Sequence, residues 1–243
     1  MKFSTTILRT AVACLLASAT ASLALAFEGK VDMKMTSSRG DNTMPMTYFI
    51  KGSHMRTEMS VPPDKENKNG GTFATIMDLE KREVIMLMAE QKMYMVHEIP
   101  AATMEKASNK TAEADFKPTG RKEKIAGIEA EEYAGQSEKK RTEIWVTKEL
   151  GKFMMANQGK GGPMGGKKGG QSSAWARFAE QGDFFALRVI QRAKEGAPED
   201  FRLEVTKVEK GSQPDSLFKP PADYQKFEMP SMGDMMKGMI PGR

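Results

Sequence analysis

Residues 72–98, TFATIMDLEKREVIMLMAEQKMYMVHE, decide the fold. They divide into three pieces, 73–79, 83–89 and 92–98, separated by the polar links Glu80-Lys81-Arg82 and Glu90-Gln91. Within each piece apolar residues recur at every second position, which is the spacing of a strand and not of a helix. Links this short leave no room for a crossover helix, so neighbouring pieces pair antiparallel as a meander. One face collects Phe73, Met77, Leu79, Val84, Met86, Met88, Met93 and Met95; the other collects Ala74, Ile76, Ile85, Leu87, Tyr94 and Val96. Both faces are apolar, so both need cover, one from protein and the other from protein or a ligand. The alternation leaves open which of the two is concave.

Upstream, residues 27–35 (FEGKVDMKM) alternate Phe27, Gly29, Val31, Met33 and Met35 against charged neighbours, the mark of a half-buried strand. Residues 37–42 read as a turn or loop, and 46–51 with 54–61 as a hairpin around Gly52-Ser53. A polar loop, 62–71, leads into the meander. Downstream, Ile99-Pro100 closes the sheet, 101–107 is a candidate short helix, and 105–120 reads mostly as solvated loop. Strands resume at 121–125, 129–135 and 141–147, with a turn at Ala126-Gly127. Residues 172–181 predict a helix with a serine start, Trp175, Phe178 and Ala179 on one face, and Gly182 as its stop. Two more strands, 184–192 and 201–209, precede an extended closing segment, 216–227. The expectation is one mainly β (α+β) domain of about ten short, mostly antiparallel strands with one or two short helices.

The flanks have their own character. Lys2 and Arg9, the apolar run to Leu25, and Ala24-Leu25-Ala26 predict a secretory signal peptide over 1–26, cleaved after Ala26. A lipid anchor on Cys14 is the alternative. Cleavage would remove Cys14, the chain's one cysteine, and with it any disulfide, thiolate nucleophile or cysteine metal ligand. Lys2 and Arg9 would leave as well, so 35 basic residues face 32 acidic ones, a balance too mild to argue for nucleic acid. Twenty methionines remain against six leucines, so methionine does packing that leucine usually does. Its flexible thioether adapts to irregular apolar shapes. Residues 155–171 (MANQGKGGPMGGKKGGQ) lack periodicity and are expected to be mobile, and 229–243 form a methionine-rich tail.

No chemistry-bearing motif emerges. Gly161 to Lys167 fits G-x-x-x-x-G-K, but Lys168 stands where Ser or Thr should hold magnesium, and no apolar strand directly precedes it. His54 and His97 lie on expected strands, and no G-x-S-x-G turn accompanies them, although a triad is set by geometry and not by order. Thioethers of Met229, Met232, Met235, Met236 and Met239, with Met44-Pro45-Met46 near His54, form an alternative Cu(I) reading. Zinc is disfavoured there, because it prefers Cys, His and carboxylate ligands. Lys160, Lys167 and Lys168 offer contact to anionic headgroups at a membrane surface.

The order of pieces FEGKVDMKM, YFIKGSHMR, TIMDLEKREVIMLMAEQKMYM, IAGIEAEEY, EIWVTKELG, LRVIQR and VTKVEKGSQPDSLFKPPADYQKF resembles a bacterial exported domain family of unknown function in the LolA/LolB-like group of lipoprotein carriers. The resemblance spans most of residues 27–227. It implies a single strongly curved antiparallel sheet, an incomplete half-barrel with lid helices, whose apolar cavity takes acyl chains in some relatives and serves stress sensing in others. The methionine richness, the Gly/Lys insert and the methionine tail depart from that pattern. The resulting expectation is a non-enzymatic periplasmic or envelope protein without a cofactor, binding a lipid or an acylated protein. Its cavity would be lined by Met33, Met35, Phe73, Met77, Met86, Met88, Met93 and Met95, with Trp175 and Phe178 from the lid. A purely structural or stress-sensing envelope role is the remaining alternative.

Overall fold

The computed structural model describes residues 27–38, 40–61, 71–99, 116–137, 140–151 and 174–228. The expected signal peptide, the helix candidate 101–107, the Gly/Lys insert with Lys160, Lys167 and Lys168, and the tail 229–243 lie outside those residues.

Twelve strands hydrogen-bond into one sheet: β1 (Gly29–Ser37), β2 (Gly40–Lys51), β3 (His54–Val61), β4 (Gly71–Asp78), β5 (Glu83–Met88), β6 (Met93–Glu98), β7 (Lys117–Ile125), β8 (Ile128–Ser137), β9 (Lys140–Thr147), β10 (Phe185–Arg192), β11 (Glu199–Lys210) and β12 (Gln225–Lys226). The spatial order β12-β6-β5-β4-β3-β2-β1-β11-β10-β9-β8-β7 is open and curled, with β12 and β7 at its edges and no closure into a barrel. Two antiparallel runs, β1–β6 and β7–β11, meet where β1 pairs with β11. The meander expected from residues 72–98 is present, with Phe73 opposite Met88 and Met88 opposite Met93.

The expected strands are present, with three differences: two strands start earlier than expected and one short strand is added. Ser37 pairs with Gly40, so β2 starts inside the stretch read as a turn. β7 begins at Lys117, within the expected loop, because Lys117 and Pro118 pair with Ala134 and Tyr133. The closing segment is not uniformly extended: a 3-10 turn (Asp215–Phe218) precedes β12, which pairs parallel to β6. The Ala126-Gly127 turn holds, with both residues at positive φ (49° and 83°), the backbone a two-residue hairpin needs.

Helix α1 (Ala174–Gln181) packs on β9 and β10 and defines the inner face of the sheet. Its stop differs from expectation. Asp183, not Gly182, takes the left-handed φ of 51°, and the Phe184 N–H donates to the Ala179 carbonyl, closing the last turn. Gly182 is required for space instead, because a Cβ there would lie 2.3 Å from the Phe184 ring. Trp175, Ala176 and Ala179 are buried against Ile144, Phe185, Leu187 and Val189, and Trp175 stacks on Phe201 at 6.4 Å.

The outer face is covered by two means. Over β8–β11, Trp145 lies between the guanidinium groups of Arg121 and Arg188, 5.6 and 5.8 Å from its ring. Arg121 ion-pairs the fully buried Glu132, and Arg188 pairs Glu123 and Glu204 at 2.8 and 2.7 Å. Over β1–β6, the chain after β11 returns as a strap. The Gly211 N–H donates to the Glu28 carbonyl, Lys51 pairs Asp215 at 2.7 Å, and Arg56 donates to the Leu217 carbonyl. Gln225 and Phe227 then donate to Lys92 and Tyr94 on the far edge. Phe218 is buried with Ala74, Ile76 and Leu87, and Phe49, Ile85, Tyr94 and Tyr224 pack around them.

This makes Phe218 the anchor of the strap. Phe218→Ala should lower unfolding stability by about 3 kcal/mol, read as a drop in the urea midpoint; an unchanged midpoint would remove the strap from the fold's energetics.

Candidate functional site: the methionine face of the first six strands

Strand register carries the pattern of residues 72–98 across half the sheet. Met33 pairs with Met46, Met46 with Met59, Met59 with Phe73, Phe73 with Met88, and Met88 with Met93. This single row crosses six strands at about 4.8 Å each. The next row runs through Val31, Tyr48, Thr57, Thr75, Met86 and Met95, and the one after it through Ile50, Met55, Met77, Val84 and His97. Every methionine of β1–β6 lies on this inner face. The outer face of β4–β6 is equally apolar but carries Ala74, Ile76, Ile85, Leu87, Tyr94 and Val96.

Burial falls along the row. Met33, Met35 and Met46 are 1–2% exposed and belong to the continuous core with Tyr48, Phe185, Leu203 and Val205. The Tyr48 hydroxyl donates to the Met55 sulfur at 3.1 Å, so even the polar atom in this layer is satisfied by a thioether. Met77 is buried in the same core. Phe73, Met86, Met88, Met93 and Met95 are half-buried and, among the described residues, join neither packed cluster.

The ten residues singled out from the sequence therefore fall into three places. Met33, Met35 and Met77 are core; Phe73, Met86, Met88, Met93 and Met95 form a half-buried patch on β4–β6; Trp175 and Phe178 ride on α1 above β9 and β10. Phe178 meets Phe116, Tyr133 and Phe184 at centroid distances of 4.9, 5.1 and 5.7 Å. Burial in that aromatic group pushes the Tyr133 phenol above its usual range. The expected lid thus stands over the C-terminal run of strands, beyond β1 from the meander. The expected cavity lining leaves out Met44, Met46, Met55 and Met59, which share the face; the sequence takes up Met44 and Met46 only as thioether ligands near His54. The alternation in β2 and β3 displayed them, but only the register of β2 on β1 and of β3 on β4 joins them to the row.

One polar cluster places a serine, a histidine and an aspartate together at the β3–β4 end. His54 Nε2 is 3.4 Å from Asp78, and Ser53 Oγ is 3.5 Å from His54 Nδ1. The serine hydroxyl donates instead to Glu80 at 2.8 Å, so its proton is not directed at the imidazole. Asp78 accepts the backbone N–H groups of Glu80 and Lys81 at 3.1 and 3.0 Å and pairs the Lys81 ammonium at 3.2 Å. These bonds tie the β4–β5 turn. Among the described residues, no three His, Cys, Asp or Glu side chains converge as a metal site. No helix among them is long and apolar enough to cross a membrane.

Burial alone would push the Asp78 carboxyl up, but the Lys81 N–H, its ammonium and nearby His54 together hold it below the ordinary aspartate value. A carboxyl lowered on folding stabilises above its unfolded pKa, and that contribution is lost as pH falls through the folded value. Asp78→Asn should therefore flatten the loss of stability below about pH 4, measured as urea midpoints across an acid series. A variant that tracks the wild-type slope would remove Asp78 from the acid response.

Comparison with solved structures finds a conserved protein of Thermus thermophilus, described as uncharacterized, at 12% identity and TM-score 0.47, covering 84% of this chain and 91% of that one. PNGF-II follows at 16% identity and TM-score 0.45, covering 87% and 33%. MucB in complex with MucA(peri) follows at 10% identity and TM-score 0.41, covering 84% and 57%; a MucA/MucB complex is from Pseudomonas aeruginosa. The chain spans a third of the PNGF-II chain and just over half of MucB. Comparison with curated proteins gives no match. The family described as "Domain of unknown function (DUF4412)" matches residues 27–224.

Proposed function

The chain belongs to the DUF4412 family, a domain of unknown function, and we infer that it is a non-enzymatic protein of the bacterial envelope that binds an apolar ligand. The ligand class is a lipid or the acyl chain of a lipid-modified protein. The observation that carries this reading is the half-buried patch of Phe73, Met86, Met88, Met93 and Met95, on strands whose opposite face is partly covered by the strap around Phe218. A flat acyl chain laid along these rows removes apolar surface from water at about 25 cal/mol per Å², and unbranched thioether chains adjust to its shape without strain.

Met33, Met35 and Met77 form the floor behind the patch and contribute packing. Export rests on the basic, then apolar, first 26 residues, with the Cys14 lipid anchor as its alternative. The likeness of the strand order to LolA/LolB-like carriers points to the same ligand class.

Replacing Met86 and Met93 together by Asp sets two charges on the patch, one in each row. The double variant should lose uptake of a fluorescent fatty acid and of copurifying lipid, seen by native mass spectrometry, while its circular dichroism stays unchanged. Undiminished uptake by the folded double variant would refute the assigned face.

A further inference from the structure

The segregation of sulfur by face asks for a cause that hydrophobicity does not supply. Both faces of β4–β6 are apolar, and both are half-buried or better at most positions. Were methionine a mere substitute for leucine, it would appear on both. The strap-covered face has Ile85, Leu87, Tyr94 and Val96, all without sulfur. The opposite face of the same two strands has Met86, Met88, Met93 and Met95.

These four stand as two cross-strand pairs in adjacent rows, Met86 with Met95 and Met88 with Met93. Paired Cβ atoms are about 5 Å apart and successive inward residues on one strand about 6.8 Å apart. Four thioethers on three-bond flexible stems at the corners of such a rectangle can turn onto one point. His97, exposed, follows Met95 on the same face and offers an imidazole at the rim.

We propose that Met86, Met88, Met93 and Met95 form a binding site for a single soft monovalent cation, Cu(I) or Ag(I). Neutral thioether sulfur favours soft d¹⁰ ions and discriminates against calcium and magnesium, which take hard oxygen donors. Zinc is passed over too, since the four ligands include no thiolate, carboxylate or imidazole. The half-buried setting suits this: the ion's single charge stays near water while the sulfurs are held by the sheet. The site is separate from the tail methionines and does not depend on the apolar-ligand reading.

The test is titration of the chain with Ag(I), a redox-inert probe, in chloride-free buffer, read by native mass spectrometry and by the spectrum of methyl-¹³C methionine. The expected result is one tightly held Ag(I) per chain, with the methyl signals of these four methionines shifting together. The Met86→Leu, Met88→Leu, Met93→Leu, Met95→Leu variant conserves volume and apolar area, and should lose the ion while keeping the circular dichroism and urea midpoint of the wild type. Absence of bound silver in the wild type, shifts confined to other methionines, or equal binding by the folded leucine variant would each overturn the site. Loss of silver on deletion of 229–243, with the leucine variant unaffected, would overturn it as well and assign the metal to the tail. The methyl spectrum of the unaltered chain decides the matter even where the fourfold variant fails to fold.

Discussion

Strands β4–β6 are apolar on both faces, and a sheet of that kind is stable only when water is excluded from both. The chain meets this demand on the outer side with its own C-terminus. After β11 leaves the centre of the sheet, the strap meets Glu28 beside β1, Lys51 at the end of β2 and Arg56 on β3 before β12 docks beside β6. Phe218 is placed where Ala74, Ile76 and Leu87 leave a shallow apolar surface, the small Ala74 giving it room. The same strap pairs the edge of β6, which would otherwise present unpaired N–H and C=O groups. One segment thus covers a face and protects an edge.

The other half of the sheet solves its outer face differently. Trp145 supplies the apolar area, and Arg121, Arg188, Glu132 and Glu204 cover it with charge. The Arg188–Glu123 pair, whose carboxylate is exposed, contributes about 0–1 kcal/mol and serves solubility and orientation more than stability. Glu132 is the exception. It is fully buried, and Thr119 and Arg121 satisfy its carboxylate, so loss of Arg121 would strand a buried charge. The two halves are held together by β1, whose inward Val31, Met33 and Met35 are shielded on both sides by β2 and β11. Gly29 permits that closeness at its start, since a Cβ there would meet the Glu209 carbonyl oxygen at 2.3 Å.

How much of this could be read in the sequence depended on how local its cause was. The meander was legible because Met86, Met88, Met93 and Met95 alternate with Ile85, Leu87, Tyr94 and Val96 over links too short for any other path. The turn at Ala126-Gly127 was legible for the same reason. The start of β7 was not, because residues 117–120 are exposed and lack an apolar alternation; Lys117 and Pro118 join the sheet through pairing with Ala134 and Tyr133 of β8. The helix stop was half-read: Gly182 is needed there, but for the Phe184 ring and not for its own φ. The position of α1 over β9 and β10 has no local signature at all, since nothing in residues 174–181 says which strands lie beneath. The long row from Met33 to Met93 joins residues far apart in the chain, and only register assembles it.

That row also explains where function can be carried without costing the fold its stability. At Met33 and Met46 the thioethers are enclosed, and the sheet there is fixed by neighbours on both sides. Toward β6 the same row becomes half-buried, while the strap still holds the strands from behind. Binding surfaces are drawn from parts of a structure with fewer packed apolar contacts, but a two-apolar-faced meander left to itself would associate with other chains. The strap relieves that conflict. By taking over the stabilisation of β4–β6 on the outer face, it frees their inner face to be adaptable, sulfur-rich and only half covered. An apolar ligand and a soft ion would both draw on this one asymmetry of β5 and β6: hydrocarbon on the strap side, thioether on the half-covered inner face.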